Sequence, residues 1–145
     1  MNTAEMKTIA AEDLFCDSFD QVVEFNHQAL GIEPRQIGLL SDAELKYAAK
    51  AIQEEAEEFV LAHVNQDPVG AVDAACDLMY FTIGFMYRMG LSAQQMRSAF
   101  DAVHEANMTK KMGTQAKRGG EGVVDAVKPE GWQGPEEKIA AILGG

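Results

Sequence analysis

Residues 41–90 read SDAELKYAAKAIQEEAEEFVLAHVNQDPVGAVDAACDLMYFTIGFMYRMG, and the fold follows from this stretch. It opens with Ser41-Asp42-Ala43-Glu44, a capping box: the serine hydroxyl accepts from a free backbone N–H and the glutamate three residues on reaches back. Leu45, Ala48, Ala49, Ile52, Ala56, Phe59, Val60 and Val64 then recur with a period near 3.6, which predicts a helix to about Asn65. Asp67-Pro68 starts the next, with aspartate as cap and proline at the first helical position, where its missing N–H costs nothing. That helix is predicted to run to Met89 and stop at Gly90. The turn between them is short, so the two helices are expected to pack antiparallel.

Working outward, an earlier helix is predicted from about Glu12 to Leu30, with Phe15, Phe19, Val22, Val23 and Leu30 as its apolar stripe and Gly31 as its stop. A linker with Pro34 and Gly38 follows. Ser92-Ala93-Gln94-Gln95 forms a second capping box and opens a helix to about Lys111, with Met96, Ala99, Phe100 and Val103 facing inward. Residues 113–134, with glycines at 113, 119, 120, 122 and 131 and Pro129, read as an extended loop with little regular structure. Pro135-Glu136-Glu137 begins a short last helix to about Leu143. The expected fold is all-α: one domain over residues 1–145, an antiparallel bundle of four main helices plus a short C-terminal helix.

The 145 residues carry a formal net charge of −11, which argues against partners that need a basic face, nucleic acids and anionic membranes among them. The imbalance is uneven: residues 1–103 hold 6 basic and 17 acidic side chains, residues 104–145 six of each. Cys16 and Cys76 form no CxxC pair, which suits neither a disulfide scaffold nor a thiolate zinc site and fits a reducing compartment. Residues 1–7 lack a basic region followed by an apolar core, so a cytoplasmic location is expected. The apolar run from Leu78 to Met89 is too short to span a bilayer.

The chemistry is carried by acids in unexpected places. Glu54-Glu55-Ala56-Glu57-Glu58 could be a solvated face, but Glu55 borders the apolar stripe and Glu58 shares its side. Asp73 and Asp77 fall on a face with Val69, Val72, Cys76, Tyr80 and Gly84, in a helix apolar nearly all round. A buried unpaired carboxylate costs several kcal/mol at least, so Asp77 must find a cation, a proton or a metal ion. With the two helices antiparallel, Glu54, Glu55 and Glu58 lie roughly opposite Asp73 and Asp77, and a hard divalent ion, Mg²⁺ or Mn²⁺, would compensate an all-oxygen cluster. No ExxH pair supports a di-iron centre. Carboxylate-bound Mg²⁺ suits phosphate substrates, and Lys110, Lys111, Lys117 and Arg118 gather cations within nine residues although neither a P-loop nor a GxGxxG is present. Helix-dipole preference accounts for Lys110 and Lys111 alone. Phe25, Asn26 and His27 are candidates for contacting a base, against ordinary packing of the first and exposure of the others. Trp132 is expected to anchor the tail.

Glu54-Glu55-Ala56-Glu57-Glu58, Asp77-Leu78-Met79-Tyr80 and Val103-His104-Glu105-Ala106-Asn107-Met108-Thr109-Lys110, in this order, resemble the all-α nucleoside triphosphate pyrophosphohydrolases: MazG-like enzymes, dimeric dUTPases and phosphoribosyl-ATP pyrophosphohydrolases. Lys128-Pro129-Glu130-Gly131-Trp132 is similar to the ends of some MazG-like proteins, phage-encoded ones included. The resemblance covers roughly residues 40–135 and implies Mg²⁺-dependent hydrolysis of a nucleoside triphosphate to the monophosphate and pyrophosphate by a homodimer or tetramer. It implies Glu55, Glu58 and Asp77 as metal ligands, Glu54 as the group that orients or deprotonates the attacking water or holds a further metal, and Asn107 and Lys110 as holders of the triphosphate. Apart from the resemblance, Lys111, Lys117, Arg118 and Lys128 are candidates for closing over the phosphates and His27 for substrate contact at the base. The family pattern has a glutamate where this chain has Ala74, and Asp73 is its natural substitute, four residues before Asp77. That departure keeps a second expectation open, a non-catalytic nucleotide-binding or regulatory module on the same scaffold.

Overall fold

The computed structural model describes residues 17–119 and 122–144. The protein is mostly helical, and its chain forms two compact units, Met1–Ala93 and Gln94–Gly145.

In the first unit, α1 spans Ser18–Glu24 and passes directly into a π-helical turn, Phe25–Ala29. Its cap is Asp17, whose carboxylate accepts from the N–H groups of Phe19 and Asp20. The predicted start of this helix near Glu12, with Phe15 and Cys16, lies outside the described residues. Gly31 ends the turn with a positive φ of 68°. The predicted hairpin then forms: α2 spans Asp42–Val64 and α3 spans Pro68–Arg88, packed along one another. Both starts obey their local signals. Ser41 and Glu44 exchange the two bonds of the capping box, and the Asp67 carboxylate accepts from Gly70 N–H at 2.9 Å. Gly90, at φ 95°, ends α3 where an added Cβ would lie 2.5 Å from the carbonyl oxygen of Gln36.

The packed stripes are built from small residues. Ala48, Ala51 and Ala62 of α2 are buried, and so are Ala71 and Ala74 of α3, with Phe85 at the far end against Ala48 and Ala51. This corrects one sequence-based expectation. Val69, Val72 and Cys76 do not lie on the packed face; the two valines are 79% and 65% exposed, because alanines let the helix backbones close on the other side. By length and composition alone α3, at 21 residues, would pass for a membrane span. It is longer than the Leu78–Met89 run because its apolar character begins at Pro68.

Two arginines tie this unit together. Arg35, in the linker before α2, grips Glu44 with both guanidinium nitrogens at 3.1 and 3.0 Å, and Arg88 at the end of α3 approaches the same carboxylate at 3.6 Å. The Arg35 bonds, with those from Ser41, hold the Glu44 carboxyl down to about 2. Tyr87 O–H donates to the Ile32 carbonyl at 2.7 Å, fixing the linker again.

In the second unit α4 spans Ala93–Met108, ending three residues before the predicted Lys111. The expected featureless loop holds a short antiparallel ladder, β1 Lys111–Gly113 with β2 Asp125–Val127, and a 3₁₀ turn at Ala116–Arg118. Gly113 permits the pairing, since a Cβ there would lie 2.8 Å from a Val127 methyl. Strands of three residues are too short to show a period, which is why the sequence hides them. α5 spans Glu136–Ile142, as predicted.

Candidate active site

The carboxylates occupy positions in the alanine stripe and along its edge. On α2, Ala48, Ala51, Glu55 and Ala62 follow a three-and-four spacing that points one face at α3, and Glu58 and Glu54 sit on one flank of that face. On α3, Asp73 and Asp77 share a flank of the stripe marked by Ala71 and Ala74. Glu55 is half-buried, and its Oε2 is fully buried with no hydrogen-bond partner. Burial pushes the Glu55 carboxyl above the ordinary range, and the charges of Glu58, Asp77, Asp73 and Glu54 push it in the same direction. Residues expected from sequence to meet across the hairpin are thus near enough to feel each other. Asp77 is half-buried; Glu54, Glu58 and Asp73 are exposed. Glu54 pairs with Lys50 at 3.3 Å. Among the described residues no lysine, arginine or histidine forms an ion pair with Glu55, Glu58, Asp73 or Asp77. No three acidic, histidine or cysteine side chains among the described residues converge closely enough, as they stand, to hold a metal ion. Ala74, at 2% exposure, fills the helix contact at the place of the family glutamate.

Beside Asp77 opens a cavity of about 440 Å³ walled by Phe25, Tyr47, Tyr80, Phe81 and Phe85. Phe25 meets Tyr80 edge-on at 5.5 Å between centroids, and Phe81 stacks on Phe85 at 6.0 Å. Asn26 also reaches this cavity. It is 4% exposed, its Nδ2 donates to the Val22 carbonyl at 2.9 Å, and the π-helical turn sets its position. Such turns occur mostly as single widened turns at functional positions. Gly84 completes the wall; an added Cβ would lie 3.3 Å from Asn26 Nδ2. Of the three candidates for base contact, Phe25 and Asn26 line the cavity, whereas His27 is exposed and lies 3.5 Å from Glu33. Sequence reasoning missed Tyr47 as a partner of this wall. The signal was available: Tyr47 lies seven residues before Glu54, on the same flank of α2.

The remaining candidates lie in the second unit. Asn107 is in the last turn of α4, Lys110 follows it, and Lys111 opens β1 with its side chain exposed. Arg118 pairs with Asp125 at 2.5 Å. Asn107, Lys110 and Arg118 line one cavity, and Lys111 does not.

An all-α chain with this order of motifs falls in the MazG-like class of nucleotide pyrophosphohydrolases. Residues 31–107, more than half of the chain, match the model of the family described as phosphoribosyl-ATP pyrophosphohydrolase. The chain belongs to that family, and its activity is of the pyrophosphohydrolase type on a nucleotide substrate. The matched stretch holds Glu54, Glu55, Glu58, Asp73 and Asp77 and ends at Asn107. No curated protein matches the chain.

Proposed function

We propose that the protein hydrolyses a nucleoside triphosphate to the monophosphate and pyrophosphate with Mg²⁺ as cofactor, Mn²⁺ being the alternative ion. The observation that carries this reading is the orphaned Oε2 of Glu55, buried between two helices beside Glu58, Asp73 and Asp77, none of which has an ion-pair partner among the described residues. A buried acceptor without a partner costs about 1–3 kcal/mol, and a divalent ion removes that cost and the mutual repulsion together. The donor set is entirely carboxylate oxygen, which suits a hard ion. The donor set therefore suits the ion in kind, and Glu55, Glu58 and Asp77 would hold it once their carboxylates are drawn in from their present spacing, with Asp73 in the place of the missing glutamate. Bound there, Mg²⁺ supplies a lowered pKa for coordinated water and neutralises charge on phosphoryl oxygens.

The chain's own groups do the rest. Glu54, exposed on the flank of α2, accepts the proton of the attacking water at a carboxylate oxygen. The aromatic cavity beside Asp77 takes the base against Phe25 and Tyr80. Asn26, with one N–H committed to Val22, keeps its carbonyl and second N–H for the base edge.

The family description favours phosphoribosyl-ATP as a second substrate reading, in which the same bond is cut. A panel of ribo- and deoxynucleoside triphosphates and phosphoribosyl-ATP, each with Mg²⁺, separates the two by which is turned over. Pyrophosphate rather than orthophosphate is the expected product. Absence of turnover across the whole panel leaves the non-catalytic module.

A further inference from the structure

The unit from Gln94 to Gly145 carries a second cluster of like charges, of opposite sign. Trp132 organises it. Its indole N–H reaches the Ala106 carbonyl at 3.1 Å and the Thr109 hydroxyl at 3.0 Å, so the ring closes the open carbonyl end of α4. Two ammonium groups sit on that ring, Lys110 Nζ at 5.0 Å and Lys128 Nζ at 4.7 Å from its centroid. Their nitrogens are therefore less than 10 Å apart. Lys110 comes from the end of α4 and Lys128 from the residue after β2, so the tryptophan joins cations from two elements.

Both lysines line a cavity of about 880 Å³ with Asn107, Gln115, Lys117 and Arg118. The wall is built: Gln115 Nε2 donates to the Ala126 carbonyl at 2.8 Å, which ties the 3₁₀ turn to β2. Four cations face this space and one carboxylate, Asp125, which is already engaged by Arg118. Among the described residues Lys110, Lys117 and Lys128 have no carboxylate partner. A cation over an exposed ring gains little, enough to position a lysine but no reason to gather four cations in a chain of net charge −11. The helix dipole accounts for Lys110 alone.

We propose that this pocket binds a chain of two or more phosphates, that it does so without a metal ion, and that Trp132 is the positioning residue that spaces its lysines. Lys110, Lys117, Arg118 and Lys128 all lie beyond the stretch matched to the family, residues 31–107. Polyphosphate is chosen as ligand because substrate and product share it, and to that extent the proposal rests on the nucleotide-hydrolase reading. A guanidinium and several ammonium groups together suit the fork-like and point-charge modes of phosphate binding.

Trp132 is the protein's single tryptophan and reports on the pocket directly. The test uses the full chain in EDTA at constant ionic strength, followed by tryptophan fluorescence and by calorimetry. Pyrophosphate, tripolyphosphate, a nucleoside triphosphate, orthophosphate and a nucleoside are titrated separately. Saturable binding of pyrophosphate and tripolyphosphate is expected, at least tenfold tighter than orthophosphate. Tripolyphosphate should bind as tightly as the nucleoside triphosphate, because the pocket reads phosphates alone. The double variant Lys117→Gln/Lys128→Gln should lose tenfold or more, and Arg118→Gln, which leaves Trp132 and its lysines in place, should lose severalfold. Trp132→Phe, which keeps a ring and removes the N–H anchor, should weaken tripolyphosphate more than orthophosphate. A heat signal absent at millimolar ligand would overturn the proposal, as would undiminished binding in folded variants or binding of the nucleoside alone. A chain that binds tripolyphosphate in EDTA but hydrolyses no nucleotide fails the reading of the previous section and not this one; the reverse result fails this one only.

Discussion

Glu55→Gln should make the metal-free protein more stable and the enzyme inactive. In the native chain one Glu55 oxygen is buried without a partner, and Glu58, Asp77, Asp73 and Glu54 all raise the cost of its charge. A like-charge pair at helical spacing costs about 0.2–0.5 kcal/mol, and several such terms fall on one group here. Glutamine keeps the shape and removes the charge, although its amide still lacks a partner. The expected gain is about 1 kcal/mol, which for a chain of 145 residues is a rise in Tm of about 4 °C. The pH dependence has a defined sign. The Glu55 pKa is raised on folding, so its penalty is absent below the ordinary value of 4.5 and grows as pH rises through the folded value. The two proteins should therefore converge in acid and separate toward neutrality. Mg²⁺ reverses the order: an ion at ten times its dissociation constant adds about 1.4 kcal/mol to the wild type by mass action and far less to the variant. Thermal melts in EDTA and in Mg²⁺, between pH 4 and pH 8, read all of this. A variant less stable than wild type in EDTA, or an equal response of both to Mg²⁺, would refute the reasoning.

Three further expectations follow from the same geometry. Glu44→Gln removes a carboxylate held at about 2 by Arg35 and Ser41; the stability it contributes is present above pH 4.5 and lost as pH falls toward 2, so denaturation should show a loss of about 1–2 kcal/mol at pH 7 that shrinks by pH 3. Gly84→Ala places a methyl group 3.3 Å from Asn26 Nδ2 and crowds the aromatic cavity; steady-state kinetics should show KM rising severalfold with kcat changed less, while helix propensity, about 1 kcal/mol in favour of alanine, keeps the protein folded. Val69 and Val72 of α3, with Val60, Leu61 and Val64 of α2, leave aliphatic surface open; light scattering should find a multiple of the 15.8 kDa chain mass, and Val72→Asp should reduce it to the monomer.

The carboxylate site and the cationic pocket pose the same physical problem with opposite signs. Each gathers like charges of which most have no ion-pair partner among the described residues, and each lowers its energy when a counter-ion arrives. Arg88 shows the contrast: it borders the aromatic cavity but is engaged by Glu44, and Asp77 has no ion-pair partner among the described residues.

Local chemistry was legible in the sequence. Ser41 with Glu44, and Asp67 with Pro68, mark helix starts through bonds that span three residues, so reading a few neighbours was enough to place the hairpin. Glu55, Glu58 and Asp77 stood out because charge within an apolar period conflicts with burial, and that conflict is visible along one helix. Relations between elements were not legible. Which face of α3 is packed depended on where alanines let two backbones approach, and Val69 and Val72 were read on the wrong side for that reason. The ladder of Lys111–Gly113 with Asp125–Val127 and the cavity shared by Asn26, Tyr47 and Gly84 join residues far apart in the chain, and so does the meeting of Lys110 and Lys128 on Trp132. Their energies arise from contacts that exist only after folding, and no periodicity within a single segment encodes them.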